Sequence, residues 1–492
     1  MINKGNFKKS PLRGDLGRSA LFPLLLCLLL TLCCLQTQAQ DKHRVVILTD
    51  IENEPDDSES LVRLLLYSND IDIKAIVATT STHMRNRTAP ETIHRVIDAY
   101  GKVHSNLLLH DSNYPSASNL KKIVYVGQTE YGLAGTGKKK NSAGSDAIVK
   151  ELEKNDARPL WVCAWGGANT LAQALVTLQA NHKGKKLEAL IAKLRVYTIS
   201  DQDDSGQWMR KEFPNLFYIV SPGGYGNATW VGMNNADGEH PELVSNAWIA
   251  ENIQQGHGAL GTQYPDVSYG MEGDTPSFLS LIPNGLNVPE YPNWGGWGGR
   301  YELYTPDVKQ CDYNGFTGNV PIGDEPRQIW TNASDTYRPY IPQTFGRSVK
   351  QSDKTFSGNQ ATIWRWREEI QHDFAARMDW CTKKKDEANH APVVKLSTSE
   401  TLTVKSGEWF HCEAQESYDP DGDHLSFLWF LYPEATGFKG ELPATTAENM
   451  HEFRAQAPTV SQPTDLHIIL KVTDKGTPSL SRYKRIIVRV NP

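Results

Sequence analysis

The sequence predicts an α/β domain, a mostly parallel sheet flanked by helices, followed by a small all-β sandwich. Three observations carry that expectation. Short β-branched and aliphatic runs alternate with helix-period segments from Arg44 to Val220, the pattern of strand–helix–strand units and so of parallel pairing. From about residue 283 to 360 the composition turns to Gly, Pro, Trp and Asn, long irregular chain that a compact domain usually keeps for function. The last stretch changes again, to short alternating strands between tight turns, as in an antiparallel sandwich.

Taken in order, residues 1–39 read as a signal peptide. Lys4, Lys8, Lys9, Arg13 and Arg18 precede an apolar run, Leu21 to Leu35, and Thr37-Gln38-Ala39 offers a cleavage site before Gln40. A lipid anchor at Cys33 or Cys34 is the alternative, and Leu32 before them suits it poorly. Export to the periplasm or the exterior is the expectation. No later stretch is long and apolar enough to span a bilayer.

The α/β domain is expected over 42–382. Strands are predicted at 44–49, 71–79, 122–126, 160–164, 194–199 and 216–220, and helices at 58–67, 89–100, 143–154, 168–180, 185–192 and 361–381. Connections should be right-handed and the ligand should sit at the carboxyl ends of the strands. Residues 383–391 read as a charged linker and 392–492 as the sandwich. The formal charge of −6 gives no clustered basic face and so no reason to expect nucleic acid. Cys163, Cys311, Cys381 and Cys412 match no zinc spacing; Cys163 reads as a buried thiol, and a Cys311–Cys381 bridge stays open.

The sharpest chemical signal is Thr49-Asp50-Ile51-Glu52-Asn53-Glu54-Pro55-Asp56-Asp57, five carboxylates in eight positions directly after a buried strand. Like charges packed so densely cost energy unless a cation neutralises them. Carboxylate oxygens without His or Cys favour Ca²⁺ or Mg²⁺. The competing account is a solvated turn in which Asp56 and Asp57 favour the next helix N-terminus. A second acidic run, Asp201, Asp203 and Asp204, follows the strand at 194–199, either lining the same crevice against sugar hydroxyls or forming a surface turn. Trp208, Arg210, Asn227 and Trp230 are further candidates to frame a sugar. The run Trp294–Arg300 is either a stacking platform for saccharide or a packed loop whose glycines permit tight turns; the packed loop is preferred. Asp419-Pro420-Asp421-Gly422-Asp423 is either a calcium-binding loop or simply a good turn, since Asp and Gly suit the backbone it needs, and the plain turn is preferred; Trp429 is read as the sandwich's core tryptophan.

The first acidic run resembles the opening motif of nucleoside hydrolases, a strand leading into Asp-x-Asp-Pro-Gly-x-Asp-Asp. Here Asp50, Glu52, Asp56 and Asp57 keep the register, Glu52 replaces the central Asp, and the Pro-Gly is lost. Ala164 to Ala172, with Asn169, is similar to the segment that lends a backbone carbonyl to calcium. Met271 to Ser277, with Asp274, falls where the distal metal ligand sits. The set, with Gly273 to Phe278 and Trp294 to Arg300, looks closer still to the Sde182 cellulose-binding proteins, over roughly residues 42 to 490. The C-terminal turn and strand look like those of immunoglobulin-like modules.

That resemblance implies a nucleoside-hydrolase-like fold with an immunoglobulin-like sandwich behind it. It implies Ca²⁺ held by Asp57, Glu52, Asp274 and the carbonyl of Asn169, with Glu52 as general base for a metal-activated water. Asp50 and Asp56, with Asp201, Asp203, Asp204 and Asn227, would contact the sugar. The implied activity is hydrolysis of an N- or O-glycosyl bond of a furanose-like sugar, on a saccharide or nucleoside-like molecule. The alternatives are a non-catalytic protein that binds cellulose or another plant polysaccharide, and a calcium-stabilised structural module. Two departures bear on the chemistry. Glu52 is one methylene longer than Asp, and Gly273 stands where many relatives carry a His that helps the leaving group.

Overall fold

The short apolar runs of the first half line up side by side in the computed structural model, which describes residues 42–221, 228–234, 237–307, 320, 323–342, 349–440, 442 and 450–492. They form β1 (Arg44–Thr49), β2 (Asp72–Ala78), β3 (Val124–Val126), β4 (Leu160–Ala164), β5 (Leu194–Thr198) and β6 (Phe217–Val220). Two further strands, β7 (Tyr301–Tyr304) and β8 (Ile329–Asn332), come from the stretch expected to be irregular. The order across the sheet is β3-β2-β1-β4-β5-β6-β8-β7. Pairing is parallel from β3 to β8, and β7 at the edge runs antiparallel to β8.

The helices pack on both faces: α1 (Asp56–Leu66), α2 (Pro90–His110), α3 (Ala143–Glu153), α4 (Asn169–Asn181), α5 (Gly184–Ala192), α6 (Ser205–Glu212) and α7 (Arg367–Asp379). Successive side chains of a strand point to opposite faces, and β1 uses both. Val45 and Ile47 join one core with Leu61, Leu64 and Leu65 of α1, while Val46 and Leu48 join the other with Leu171 and Leu175 of α4. The helix expected over 361–381 is divided, with a short turn at Ala361–Trp364 before α7. Among the described residues no helix is long and apolar enough to cross a membrane.

The sandwich holds β9 (Thr401–Lys405), β10 (Trp409–Glu413), β11 (Leu425–Leu431), β12 (Glu452–Gln456), β13 (Thr464–Asp474) and β14 (Ser481–Asn491). One sheet has the order β9-β14-β13-β11 and the other pairs β10 with β12. The expectation of purely antiparallel pairing needs one correction: β9 lies parallel to β14. Trp429 is 1% exposed and stacks on Phe453 in the sandwich core.

The irregular stretch has its own structural use, as the seam between the two halves. Trp297 is fully buried, with its indole N–H directed at the Tyr483 hydroxyl of β14 (3.4 Å). Trp294 stacks on Tyr291 and meets His467 of β13 edge-on. Arg485 donates to the carbonyls of Leu286 and Gly295, and the Tyr483 backbone N–H to that of Asn284. Asp335 accepts from Arg300 (2.7 Å), Arg365 (2.9 Å) and the Tyr432 hydroxyl of the sandwich (2.7 Å). Phe430, Tyr432, Ile469 and Tyr483 accordingly belong to the same apolar cluster as Trp297 and Trp366. The packed-loop account of Trp294–Arg300 holds, with the sandwich rather than the sheet as its partner.

Candidate functional site

Chain order reverses between β1 and β4, because β1 leads outward through β2 and β3 and the chain then returns to β4. In open α/β sheets the ligand crevice lies at such a point, beyond the carboxyl ends of the strands. Asp50 follows β1 there, 2% exposed. The amides of Trp165 and Gly166, just past β4, bond back to the Leu48 carbonyl (2.8 and 3.3 Å). That brings Gly166 so close to Asp50 that a Cβ would fall 2.6 Å from its carboxylate oxygen. Here a glycine is required by close approach.

The next two carboxylates come from the first turn of α1, where the helix N-terminus favours negative charge. Asp56 accepts the Asp57 amide (3.1 Å), and Asp57 accepts the Thr49 hydroxyl. The last arrives from the loop Met271–Thr275, which α1 itself pins. Arg63, fully buried, ion-pairs with Glu272 and donates to Gln371 Oε1 (2.6 Å). Glu272 also takes the hydroxyls of Tyr264 and Thr275 (2.7 Å each), and its amide donates to Glu59 (2.7 Å). One helix therefore supplies two acids and, two turns on, the cation that positions the loop of the third. Oxygens of Asp56, Asp57 and Asp274 all lie within 4.8 Å of one another.

The electrostatics are those of crowded anions. Burial, with the charge of Glu54 adding to it, pushes Asp50 up to about 6, against a hydrogen bond from Ser81 that lowers it. Burial, then the charges of Glu54 and Asp50, carry Asp56 to about 7. Asp57 and Asp274 stand well above the ordinary carboxylate range through burial first and their acidic neighbours second. Oδ2 of Asp50 and Oδ2 of Asp274 are buried without a hydrogen-bond partner. Among the described residues no basic side chain is paired with any of the four; Arg63 faces Glu272 and Arg87 faces Glu52. Orphaned oxygens of this kind, with no sulfur or nitrogen among them, fit a hard divalent cation.

Asp56, Asp57 and Asp274 thus lie together with Asp50 beside them, and Glu52 does not join them. Its backbone turns through φ 82°, and its carboxylate accepts from Arg87 (2.6 Å) and the Thr92 hydroxyl instead. Those hydrogen bonds, Thr92's first, hold it below the usual carboxylate range. Glu54, unassigned from the sequence, is the acid of that loop whose charge reaches the cluster. Asn169 is buried at the start of α4, its amide N–H groups taken by the carbonyls of Glu130 (2.9 Å) and Gly132 (3.2 Å), while Oδ1 is unpartnered.

In the second acidic run, both Asp201 oxygens are taken by the buried Arg210 (3.0 and 2.7 Å), which also holds Glu325. Asp203 accepts the amides of Asn169 (3.0 Å) and Ser205 (2.9 Å), and burial raises it to about 6. Asp204 accepts the Leu133 amide (2.7 Å). These acids brace the loops around the crevice. Asn227 lies outside the described residues. Trp230, by contrast, sits against Gly273: a Cβ there would meet its ring at 2.9 Å and Asp56 Oδ2 at 3.0 Å. Nothing local in the sequence reveals the Arg63–Glu272 pair, whose members are 209 residues apart.

Comparison with known proteins agrees with this architecture. The description of the cellulose-binding Sde182 nucleoside hydrolase-like domain matches residues 44–301, and that of the cellulose-binding protein Sde0182 C-terminal domain matches 410–490. A solved nucleoside hydrolase-related protein from Saccharophagus degradans, associated in its description with carbohydrate metabolism, is 31% identical with a TM-score of 0.75. The match covers 92% of this chain and 100% of that one. The effector XOO4466 and the effector XopQ, the latter solved with adenosine diphosphate ribose, match at 10% and 12% identity with TM-scores of 0.33 and 0.28. Each match covers 63% of this chain and 92% of the effector. No curated protein sequence matches. With a nucleoside-hydrolase-like sheet, its acidic crevice and the sandwich sealed behind it, the chain belongs to the Sde182 family of cellulose-binding proteins.

Proposed function

We propose that this protein is an exported hydrolase of a glycosyl bond in a furanose-like sugar, working at a Ca²⁺ site formed by Asp56, Asp57 and Asp274. The observation that carries the reading is the convergence of these carboxylates within 4.8 Å, Asp57 and Asp274 buried and Asp56 half-buried, with no basic side chain paired to them among the described residues. Asp56, Asp57 and Asp274 would hold a divalent ion that would neutralise their like charges and supply Lewis acidity towards water. Asp50, whose buried Oδ2 has no other partner, is the candidate to accept the proton, in place of Glu52. Trp230, against Gly273 and Asp56, forms an apolar wall that excludes water from one side of the sugar. A carboxylate-rich pocket also stabilises the positive charge that develops at the anomeric carbon.

Binding without turnover is a second reading, favoured by the engagement of Glu52 with Arg87 and Thr92 and by Gly273 at the leaving-group position. The family's cellulose-binding description supports a polysaccharide ligand in either case. Incubation of the purified protein with nucleosides and plant-cell-wall oligosaccharides, with and without a chelator, separates the two. The hydrolase reading expects released sugar that disappears on chelation and in Asp57→Asn. No product from any member of the panel removes hydrolysis, and measured saccharide affinity in the same preparation then establishes binding.

A further inference from the structure

The turn Asp419-Pro420-Asp421-Gly422-Asp423 lies in the sandwich, in a different half of the fold from the acidic crevice, and its surroundings hold more than a turn needs. Asp419 Oδ1 accepts the amides of Asp421 (2.8 Å) and Asp423 (3.2 Å), with Gly422 at φ 88°, so one carboxylate oxygen satisfies the loop. The other, Oδ2, is buried and has no hydrogen-bond partner. Asp474, at the end of β13 and 1% exposed, repeats the arrangement. Its Oδ1 accepts from the amides of Gly476 (3.0 Å) and Leu480 (2.9 Å) and from Asn389 Nδ2 (3.1 Å), and its Oδ2 is buried and unpartnered.

Asn389 is 6% exposed and comes from the linker. Its Nδ2 donates to two oxygens, Asp474 Oδ1 and the Pro478 carbonyl (2.7 Å), which fixes the orientation of the amide and leaves Oδ1 as a third buried acceptor without a donor. The three segments are held together locally. The amide of His390 bonds Asp421 (2.7 Å), its imidazole bonds the same carboxylate (3.0 Å), and Val393 and Tyr418 exchange backbone bonds. Asp419 is close enough for its charge to contribute to raising Asp474 above the ordinary carboxylate range.

Buried acceptors normally find donors. Three fail to do so here, two of them on carboxylates, and they lie on segments that the Asn389–Asp474 and His390–Asp421 bonds tie together. Such oxygens suit a hard cation, and ligands drawn from three separate chain segments suit the flexible geometry of calcium better than the strict octahedron of magnesium. We propose that Asp419, Asp474 and Asn389 bind a calcium ion, with waters completing its shell, and that the ion fastens the linker to the sandwich. Through His390, which stacks on Trp380 just after α7, that attachment reaches the large domain.

The test uses the full-length protein and counts calcium after equilibrium dialysis at about 1 mM, the range of extracellular sites. Asp57→Asn protein isolates the sandwich from the crevice. This variant should retain one ion per chain, and adding Asp419→Asn, whose carboxamide still suits the turn, should remove it. Calcium should raise the melting temperature of Asp57→Asn protein and leave Asp57→Asn/Asp419→Asn protein unmoved. In an Asn389→Ala version, which keeps both carboxylates, calcium should bind at least tenfold more weakly. No ion bound to Asp57→Asn protein, or a count that the Asp419 change does not lower by one, overturns the proposal. Neither result depends on whether the crevice binds metal.

Discussion

The crevice should act as a store of electrostatic strain that calcium relieves, and pH titrates that strain. Burial and acidic neighbours raise Asp50 from an ordinary 3.8 to about 6 in the folded protein. A carboxyl group whose folded pKa is raised contributes stability that is fully present below its unfolded pKa and lost as pH rises through the folded one. At about 1.4 kcal/mol per pH unit, full ionisation of Asp50 costs the metal-free fold about 3 kcal/mol. Asp56, raised to about 7, acts in the same direction.

Two other buried groups make stability depend on pH in the opposite direction. Buried His467, pushed down to about 3 by burial and Arg485, makes the fold lose stability as pH falls, and Asp373, held low by Arg482 and Arg377, does so at more acidic pH. The comparison that isolates the crevice is therefore wild type against Asp50→Asn. In chelator, urea unfolding should find the variant more stable at pH 7.5, with its advantage shrinking by about 2 kcal/mol on going to pH 4.5. Millimolar calcium should stabilise wild type more than the variant and reverse the order. An advantage that stays constant with pH, or grows as pH falls, refutes the reasoning.

Arg63→Met, which keeps the volume but strands Glu272 beside Glu59, should lower stability by about 3–5 kcal/mol in urea unfolding and weaken calcium binding through misplacement of Asp274. Gly166→Ala puts a methyl group against the Asp50 carboxylate; isothermal titration should find calcium affinity reduced by about 10–100-fold. Glu52→Gln should leave calcium stoichiometry unchanged and alter stability by no more than about 1 kcal/mol, whereas Asp50→Asn should abolish any turnover; a Glu52→Gln protein that loses its ion would return Glu52 to the ligand set. Trp297→Ala should cost about 3–5 kcal/mol at the seam, read from the shift in the unfolding midpoint.

What the sequence makes legible here is whatever local periodicity and motif spacing control. β1 and β4 are found at the residues their apolar runs mark, and the acids that follow β1 lie at the switch point for the reason the strand order gives. The meeting of Asp57 with Asp274 was readable only because a family motif links two segments far apart in the chain. Glu52 illustrates the limit. Motif register assigns it to the ion, but a left-handed backbone turn sends its side chain to Arg87 and Thr92, partners 35 and 40 residues away that no local pattern announces. β7 and β8 carry no local signal for a related cause: each is four residues long and is stabilised by joining the edge of a sheet built elsewhere. Likewise, the acids at 201–204 sit past a strand end as a ligand site would, yet Arg210 and the backbone amides claim them, and such claims arise only in three dimensions.

The sealed boundary between sheet and sandwich also bears on how this protein can be handled. Trp297, Asp335 and Arg485 make each half part of the other's interior, so the C-terminal portion is not a detachable accessory. Cutting at the linker would bare a greasy, ion-pair-studded scar on both fragments, and truncated versions made to assay either half alone would report on damaged proteins. Heat should dismantle the two together, in one calorimetric transition.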